Sequence, residues 1–257
     1  MTFSTFLGKF QKPDPIDVVR YWNDIEQEKS KPYFLEDEND LKLIKFLQQE
    51  TNLQKCFEAS LEVGIKGLGF VKSRILEIGV GVAWTSALLS RIPDVEEIYG
   101  IDVSEHRLKN IAPIVFKQFG GDCSKFKPLC ASFLEMELGH EQFDCVIFVQ
   151  SLYMFSDITN VLRKVHQVLK PQGGVIVACE GITTAHALHS LAYLKQTCRR
   201  IVKGRADCSG NHFYNEREYQ KALEKAGFQY YTQYLNYPVY KNSPSHNRNH
   251  FGSKNPG

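Results

Sequence analysis

The run from Ile75 to Ala83 constrains the fold of this chain more than any other part of the sequence. It begins with apolar residues that predict a strand buried on both faces. Glu77 stands near the end of this strand, and Gly79 and Gly81 follow within a tight turn, after which a helical pattern begins. Strand, glycine turn and helix together predict the first unit of a nucleotide-binding α/β fold, because glycines let a ligand approach the backbone closely.

The residue types in the turn distinguish between two ligand classes. A dinucleotide-binding turn needs a third glycine where helix and strand touch, and that position holds Trp84, which is too large for it. The alternative pattern is an acidic residue followed by three glycines at alternate positions. It is matched by Glu77, Gly79, Gly81 and Ala83, with one small residue replacing another. In this segment the chain resembles the class I S-adenosylmethionine-dependent methyltransferases, whose first motif this is.

A second acidic residue stands at the end of the next predicted strand. Asp102 follows Glu77 by 25 positions, which is enough for one helix and one strand. The resemblance implies that Glu77 stands near the amino end of the methionine part of the cofactor. It also implies that Gly79 and Gly81 admit the cofactor to the backbone, that Asp102 holds the ribose, and that Val103 packs beside the adenine.

The segments after the third and fourth predicted strands supply further candidates. Ser132 or a backbone carbonyl could accept the hydrogens of the adenine amino group, and Phe133 either covers the adenine ring or belongs to the core. Gln150 is predicted to line the cofactor cleft, and Tyr153 to face the cofactor or the acceptor. The run after the fourth strand lacks the Asp/Asn-Pro-Pro-aromatic motif of enzymes that methylate exocyclic base nitrogens, which disfavours that reaction.

The rest of the central region alternates strands and helices, which implies a parallel sheet with right-handed crossovers. Strands are predicted over residues 74–79, 98–102, 126–130, 143–149, 174–179, 228–235 and 237–240. The resemblance, which covers about residues 74–240, implies a Rossmann-like α/β fold. Its mostly parallel sheet has seven strands flanked by helices, and the last two predicted strands form its closing antiparallel pair.

Composition divides the chain into three segments. Residues 1–70 predict an N-terminal helical cap or lid, which in the family commonly lies over the cofactor, and residues 71–240 predict the cofactor-binding domain. Residues 241–257 are polar and are predicted to be disordered. Tyr21 and Trp22 of the cap are candidates for substrate contact, although aromatic residues at helical spacing more often belong to a core.

Methyl transfer requires few catalytic groups, because a sulfonium methyl is already an activated electrophile. Alignment of the nucleophile with this methyl supplies much of the rate. A general base is needed only where the nucleophile must lose a proton. His212 is the candidate base, in a polar and aromatic loop with Tyr214, and Glu180 and His186 are further candidates. Arg205 could bind an anionic acceptor.

Charge and cysteine content exclude several classes of function. The net charge of +2 argues against a nucleic-acid partner. No apolar run reaches the ~20 residues of a membrane span and the start of the chain lacks a leader pattern, so a cytoplasmic protein is expected. None of the seven cysteines forms a Cys-x-x-Cys pair, and His186 and His189 lack a third ligand nearby. Reduced thiols and no metal site are therefore expected.

The sequence thus predicts an enzyme that transfers a methyl group from S-adenosylmethionine to a small-molecule acceptor and leaves S-adenosylhomocysteine. Two alternatives stay open, a protein or RNA methyltransferase and a non-catalytic S-adenosylmethionine-binding subunit. The sequence carries no signal for the oligomeric state.

Overall fold

The computed structural model describes residues 15–24, 29–68, 73–180, 214–241 and 247–254. These residues form one sheet of seven strands with helices on both faces, as the sequence predicts. The strands are β1 (Ser73–Ile78), β2 (Val95–Asp102), β3 (Phe126–Cys130), β4 (Phe143–Val149), β5 (Leu169–Ala178), β6 (Phe228–Leu235) and β7 (Asn247–Lys254). The helices are α1 (Pro15–Asn23), α2 (Lys42–Lys45), α3 (Leu53–Leu68), α4 (Trp84–Leu89), α5 (Ala112–Phe119), α6 (Ile158–Val168) and α7 (Glu216–Lys225).

The strand order is β3-β2-β1-β4-β5-β7-β6. The first five strands are parallel, and β1 pairs with both β2 and β4, so the order reverses beside β1. In open α/β sheets the ligand lies beyond the carboxyl ends of the strands at such a reversal. The topology therefore places the site at the end of β1, where the glycine turn begins.

Two apolar layers enclose the sheet. Ile75 packs in the layer that contains the cap and α5, and Leu76 packs in the layer that contains α6 and α7. Neighbouring residues of β1 thus serve opposite faces, as the period of two in a strand requires. Both residues are fully buried, which explains why neighbouring positions of β1 are apolar.

The closing antiparallel pair differs from the prediction. β6 lies where the sequence places it, but its neighbour is β7, within the segment expected to be disordered, and residues 237–240 lie outside the sheet. The expectation of a disordered tail is thus wrong for residues 247–254, and the predicted seventh strand is wrong. Both predictions relied on the polar composition of this segment. They failed because β7 is a polar strand, in which Asn249 and His250 are buried and form hydrogen bonds. Asn249 Nδ2 donates to the Cys56 carbonyl at 3.2 Å, and His250 Nδ1 lies 3.0 Å from the Tyr230 hydroxyl.

Residues 237–240 contact the N-terminal helices instead. The Asn52 backbone N–H donates to the Val239 carbonyl at 2.8 Å, and Asn52 Nδ2 donates to the Pro238 carbonyl at 2.7 Å. Tyr240 forms an isolated bridge with Thr51. The segment after β6 therefore fastens the start of α3 to the sheet.

Helix α7 has a local sequence signal at each end. Asn215 and Glu218 form a capping box, in which the Glu218 backbone N–H donates to Asn215 Oδ1 at 3.0 Å and the Asn215 backbone N–H donates to Glu218 Oε2 at 2.7 Å. Gly227 follows the helix with a φ of 97°. Among the helices of the described ranges, none has the length and apolar character to cross a bilayer.

Candidate active site

A cavity of about 820 Å³ lies between the carboxyl ends of the strands and the helices α1 to α3. This volume is within the roughly 300–1,000 Å³ that is usual for small-molecule sites. Nine of the residues that the sequence proposes for cofactor or substrate line it: Trp22, Gly79, Gly81, Asp102, Val103, Ser132, Phe133, Gln150 and Tyr153.

At Gly79 two turns approach each other so closely that there is no room for a side chain. Its φ is 71°, and a Cβ built on it would lie 2.5 Å from Cβ of Ser151, which follows β4. The Ser151 hydroxyl donates to the Ile78 carbonyl at 2.6 Å and fixes that approach. The turns after β1 and β4 are therefore held in contact with each other where they border the cavity.

Gly81 leaves open space above the glycine turn. Its φ is 57°, and a Cβ built on it would have only Arg107 Nη1, at 3.9 Å, within 4 Å. Ala83 also has a left-handed backbone, with a φ of 62°, and α4 begins after it at Trp84. The indole of Trp84 packs edge-on against Phe57 with ring centroids 5.4 Å apart, so it lines the cavity without filling the turn.

Asp102 joins β2 to the glycine turn. Its Oδ2 accepts from the Gly81 backbone N–H at 2.7 Å, and its Oδ1 accepts from the Ser104 backbone N–H at 2.8 Å. The residue is 8% exposed and lines the cavity. Because each carboxylate oxygen has a second lone pair, Asp102 can also accept hydrogen bonds from a ligand.

Glu77 lies below the turn and does not line the cavity. Its carboxyl group accepts from the hydroxyls of Thr85 and Ser86 on α4, the second at 2.5 Å, and the residue is 1% exposed. Burial raises the pKa of Glu77 to about 7. Glu77 is thus separated from the cavity by the turn, and the contact with the amino end of the methionine part that the resemblance implies stays a prediction.

Glu180, directly after β5, organises the turn that follows β4. Its Oε1 accepts from the backbone N–H groups of Ser151 at 2.9 Å and Leu152 at 3.1 Å, and its Oε2 accepts from that of Tyr153 at 2.9 Å. The Tyr219 hydroxyl donates to Oε2 at 3.4 Å. Burial raises the pKa of Glu180 to about 7. The side chain thus acts within the protein as an anchor for residues that line the cavity.

Gln150 and Tyr153 form the wall after β4. Gln150 has a φ of 53°, and its Nε2 donates to the Tyr240 hydroxyl at 2.7 Å. Burial raises the pKa of the Tyr153 phenol above its usual range. Tyr153 is therefore a neutral hydroxyl that lines the cavity at neutral pH.

The turn after β3 is held from behind by Lys164 of α6. The ammonium donates to the carbonyls of Phe133 at 2.7 Å, Leu134 at 3.0 Å and Met136 at 2.5 Å. Phe133 is 1% exposed and packs in the core against α6, yet it also borders the cavity beside Ser132. Both sequence interpretations of Phe133 are thus compatible with its position.

Helix α1 lies over the end of β2. Asn23 Nδ2 donates to the Val103 carbonyl at 3.2 Å, and Asn23 Oδ1 accepts from the Glu105 backbone N–H at 3.1 Å. Trp22 packs against Arg107, with the guanidinium carbon 4.5 Å from the ring centroid. These contacts attach the cap at the side of the cavity where Asp102 and Val103 stand.

Comparison with known proteins identifies the class of this site. A sequence profile for a family described as a methyltransferase domain matches residues 36–233. This chain belongs to that methyltransferase family. Its fold is that of the class I enzymes, whose cofactor is S-adenosylmethionine. A sequence search of curated proteins finds no match to the methyltransferase.

Solved structures show the same fold at low identity. Magnesium protoporphyrin IX methyltransferase from Synechocystis PCC 6803, with bound S-adenosylhomocysteine, has a TM-score of 0.62 at 15% identity, over 94% of this chain and all of that one. Phosphoethanolamine N-methyltransferase 2 from Haemonchus contortus, in complex with S-adenosylmethionine, has a TM-score of 0.64 at 13% identity, over 92% of this chain and 60% of that one. The [4+2]-cyclase SpnF has a TM-score of 0.61 at 16% identity, over 79% of this chain and 82% of that one.

Several residues proposed from the sequence lie away from the cavity of the methyltransferase or outside the described residues. Tyr21 packs edge-on against Trp22 at 5.0 Å and is not among the lining residues. The Tyr214 hydroxyl donates to the Phe155 carbonyl at 2.6 Å and also does not line the cavity, and burial raises the pKa of Tyr214 to about 12. His186, Arg205 and the candidate base His212 lie outside the described residues.

Sequence reasoning missed Arg107 and Asn23. Arg107 stands four residues before Ile111 and next to Leu108, on the apolar face of its helical segment, and a charged residue in that position is a signal for a buried cation. Asn23 follows the apolar pattern of α1 and gives no such signal. Within the described ranges, no three His, Cys, Asp or Glu side chains come together as a metal site.

Proposed function

We propose that this methyltransferase acts on a small molecule, bound in the cap half of the cavity beside S-adenosylmethionine on the strand ends. The observation that carries the proposal is the cavity itself, which is bordered on one side by the glycine turn and Asp102 and on the other by Trp22, Tyr33 and Phe46. Cofactor and acceptor can therefore meet in one cavity, as a direct transfer requires.

The residues on the strand ends fit the cofactor. The open space above Gly81 allows a ligand to contact the backbone, and the unused lone pairs of Asp102 can accept from ribose hydroxyls. Val103, Ser132 and Phe133 border the adjacent part of the cavity and are assigned to the adenine. Gln150, which is held by Tyr240, is assigned to the methionine part.

Bound S-adenosylmethionine supplies a methyl group that is already activated by its sulfonium. The chain contributes orientation and exclusion of water: Asn23 attaches α1 over the site, and Glu180 holds the turn that carries Gln150 and Tyr153. His212 stays the proposed base for acceptors that must lose a proton. Replacement His212→Ala should lower turnover while the affinity for S-adenosylhomocysteine holds, and wild-type turnover would remove His212 from the mechanism.

The cap side of the cavity favours a small acceptor over a macromolecule. Leu43, Leu47 and Leu53 border it and are each 2% exposed, so apolar side chains of the core form this wall. The net charge of +2 supplies no broad electrostatic footprint for RNA. We also propose a cytosolic location, which is supported by the five described cysteines, whose thiols are reduced.

Calorimetry with S-adenosylhomocysteine and the variant Asp102→Ala tests the cofactor assignment. We expect the affinity to fall by roughly a hundredfold, because two hydrogen bonds to a charged group are lost. Asp122→Ala is a matched control, since Asp122 also accepts from a backbone N–H two residues on, at 2.9 Å, but is exposed and away from the cavity. Equal affinity in Asp102→Ala and Asp122→Ala would remove the ribose assignment.

Incubation with methyl-labelled cofactor tests the acceptor class. The protein is given separate metabolite, protein and RNA fractions of a cell extract, and each product is analysed for label. We expect label in the metabolite fraction. Label confined to protein or RNA would replace the small-molecule proposal, and cofactor binding without label in any fraction would support the non-catalytic alternative.

A further inference from the structure

The turn after β3 borders the part of the cavity to which the proposed function assigns the adenine. It begins as one helical turn, in which the Ser132 carbonyl accepts from the backbone N–H groups of Glu135 at 3.1 Å and Met136 at 3.2 Å. Ser132, Phe133, Leu134 and Glu135 all line the cavity. The orientation of these peptide groups therefore decides whether a ligand meets hydrogen-bond donors or acceptors at this wall.

Lys164 of α6 fixes both the backbone and the ring of this turn. Its ammonium donates to the carbonyls of Phe133 at 2.7 Å, Leu134 at 3.0 Å and Met136 at 2.5 Å, and it lies 5.0 Å from the centroid of the Phe133 ring. Hydrogen bonds from an ionised donor are roughly twice as strong as those between neutral groups. Lys164 is not among the described residues that line the cavity, so it acts on a ligand through the turn.

The carbonyls held by Lys164 set the direction of the N–H groups. In a trans peptide the C=O and the N–H point in opposite directions, and the described part of the chain has no cis peptide. Because the Phe133 carbonyl points to Lys164, the N–H of Leu134 points away from α6. The N–H groups of Phe133 and Leu134 have no acceptor among the described residues. With the carbonyls of Ser132, Phe133 and Leu134 engaged, the turn offers backbone donors to a ligand.

We propose that Lys164 is a positioning residue for the adenine of the cofactor. By holding the carbonyls of the turn, it directs the N–H of Leu134 to the cavity, where this group donates to N1 of the adenine. Hypoxanthine carries a hydrogen on N1 and cannot accept there, so the turn selects adenine over hypoxanthine. This inference rests on the proposed function, because it uses the assignment of this part of the cavity to the adenine.

The test titrates S-adenosylhomocysteine and S-inosylhomocysteine, in which hypoxanthine replaces adenine, by calorimetry. The wild-type protein should bind the adenine form roughly tenfold to a hundredfold more tightly, because the hypoxanthine form leaves a buried donor without an acceptor. Lys164→Met keeps the apolar stem and removes the charge, and the preference for adenine should fall by about tenfold. Lys164→Arg keeps the charge and the N–H donors and should retain most of the preference.

Lys254→Met is the matched control. Lys254 Nζ donates to the Leu169 carbonyl at 2.9 Å, and Lys254 is not among the described residues that line the cavity. Its replacement should lower the free energy of unfolding but leave the preference for adenine unchanged. The ratio of the two affinities separates positioning from a merely structural role, because a loss of folded protein weakens the binding of both ligands alike.

Equal affinity for the two ligands in the wild-type protein would overturn the inference, and so would an unchanged preference in Lys164→Met. If Lys164→Met does not fold, Lys164→Gln takes its place. Its neutral amide reaches fewer carbonyls, so the preference should be intermediate, and a wild-type preference in Lys164→Gln would overturn the inference. Failure of the proposed function itself is distinguishable, since the wild-type protein would then bind neither ligand.

Discussion

Two buried glutamates stand near the carboxyl edge of the sheet, and the main partners of each differ in kind. Glu77 of β1 accepts from the hydroxyls of Thr85 and Ser86, whereas Glu180 after β5 accepts from three backbone N–H groups. Burial raises the pKa of both to about 7. A hydroxyl can donate or accept, but a backbone N–H can only donate. The pocket around Glu77 therefore tolerates either protonation state, and the pocket around Glu180 demands an acceptor.

The largest effect should come from Glu180→Ala, which removes the acceptor of Ser151, Leu152 and Tyr153. We expect the free energy of unfolding to fall by about 3–5 kcal/mol, because each buried donor left without an acceptor costs about 1–3 kcal/mol and entering water recovers part of it. Urea denaturation at pH 7 measures the change. Glu77→Ala should cost less, since the hydroxyls of α4 can rotate to donate to carbonyls of the preceding turn.

The control for this change is Glu224→Ala. Glu224 is exposed and accepts one side-chain hydrogen bond, from Gln220 at 2.9 Å, so its loss should stay within about 0.5 kcal/mol. A loss below about 1 kcal/mol in Glu180→Ala would contradict the contrast between the two glutamates.

The second effect concerns pH and Glu77. In the folded protein its pKa is about 7, against 4.5 for the ordinary group, so the folded state keeps a proton that the unfolded chain releases. The stabilisation is complete below pH 4.5 and is lost as the pH rises through 7. Relative to Glu77→Gln, a neutral side chain to which the two hydroxyls can adapt, the wild-type protein should lose about 3 kcal/mol between pH 4.5 and pH 8.

The difference between the two unfolding curves is the quantity to measure by urea denaturation. Burial lowers the pKa of His250 to about 4, and this group changes the stability in the opposite sense over an overlapping range of pH. Because His250 is common to both proteins, its contribution cancels in the difference. A difference that does not vary with pH would show that Glu77 ionises in the fold as readily as in the unfolded chain.

The smallest effect is expected when one hydroxyl donor is removed from each glutamate. Ser86 donates to Glu77 at 2.5 Å and Tyr219 donates to Glu180 at 3.4 Å. Ser86→Ala should cost about 1 kcal/mol, and Tyr219→Phe about 0.5 kcal/mol or less, because the longer bond is weaker and Glu180 keeps its backbone donors. Thermal unfolding of both variants measures this order. A larger loss of stability in Tyr219→Phe than in Ser86→Ala would mean that the Tyr219 hydroxyl is the main partner of Glu180.

Local pattern was enough to predict the parallel part of the fold. Strands such as β1 and β4 have apolar residues at neighbouring positions, and the glycine turn after β1 stands between a strand pattern and a helix pattern. β7 could not be found this way, because Asn249 and His250 satisfy their burial through partners distant in sequence, including Cys56 and Tyr230. A polar strand of this kind looks like a loop until its hydrogen bonds are known.

The site shows the same limit. Gly79, Gly81 and Asp102 could be placed because turn geometry and strand order dictate their positions. The roles of Glu77 and Glu180 could not, because a motif gives the residue type but not the direction in which its side chain points. Arg107 depends on contacts with Trp22 and Tyr33 that join segments far apart in the chain.

The position of β7 between β5 and β6 has a consequence for biosynthesis. β5 ends at Ala178 and already has β4 on one side, but β7, its neighbour on the other side, begins only at Asn247. At translation rates of about 5–20 residues per second, the nascent chain therefore carries an unpaired edge on β5 for seconds after the ribosome has made it. Such an edge invites pairing with other chains, so this is the stage at which a chaperone would matter most to the yield of folded enzyme.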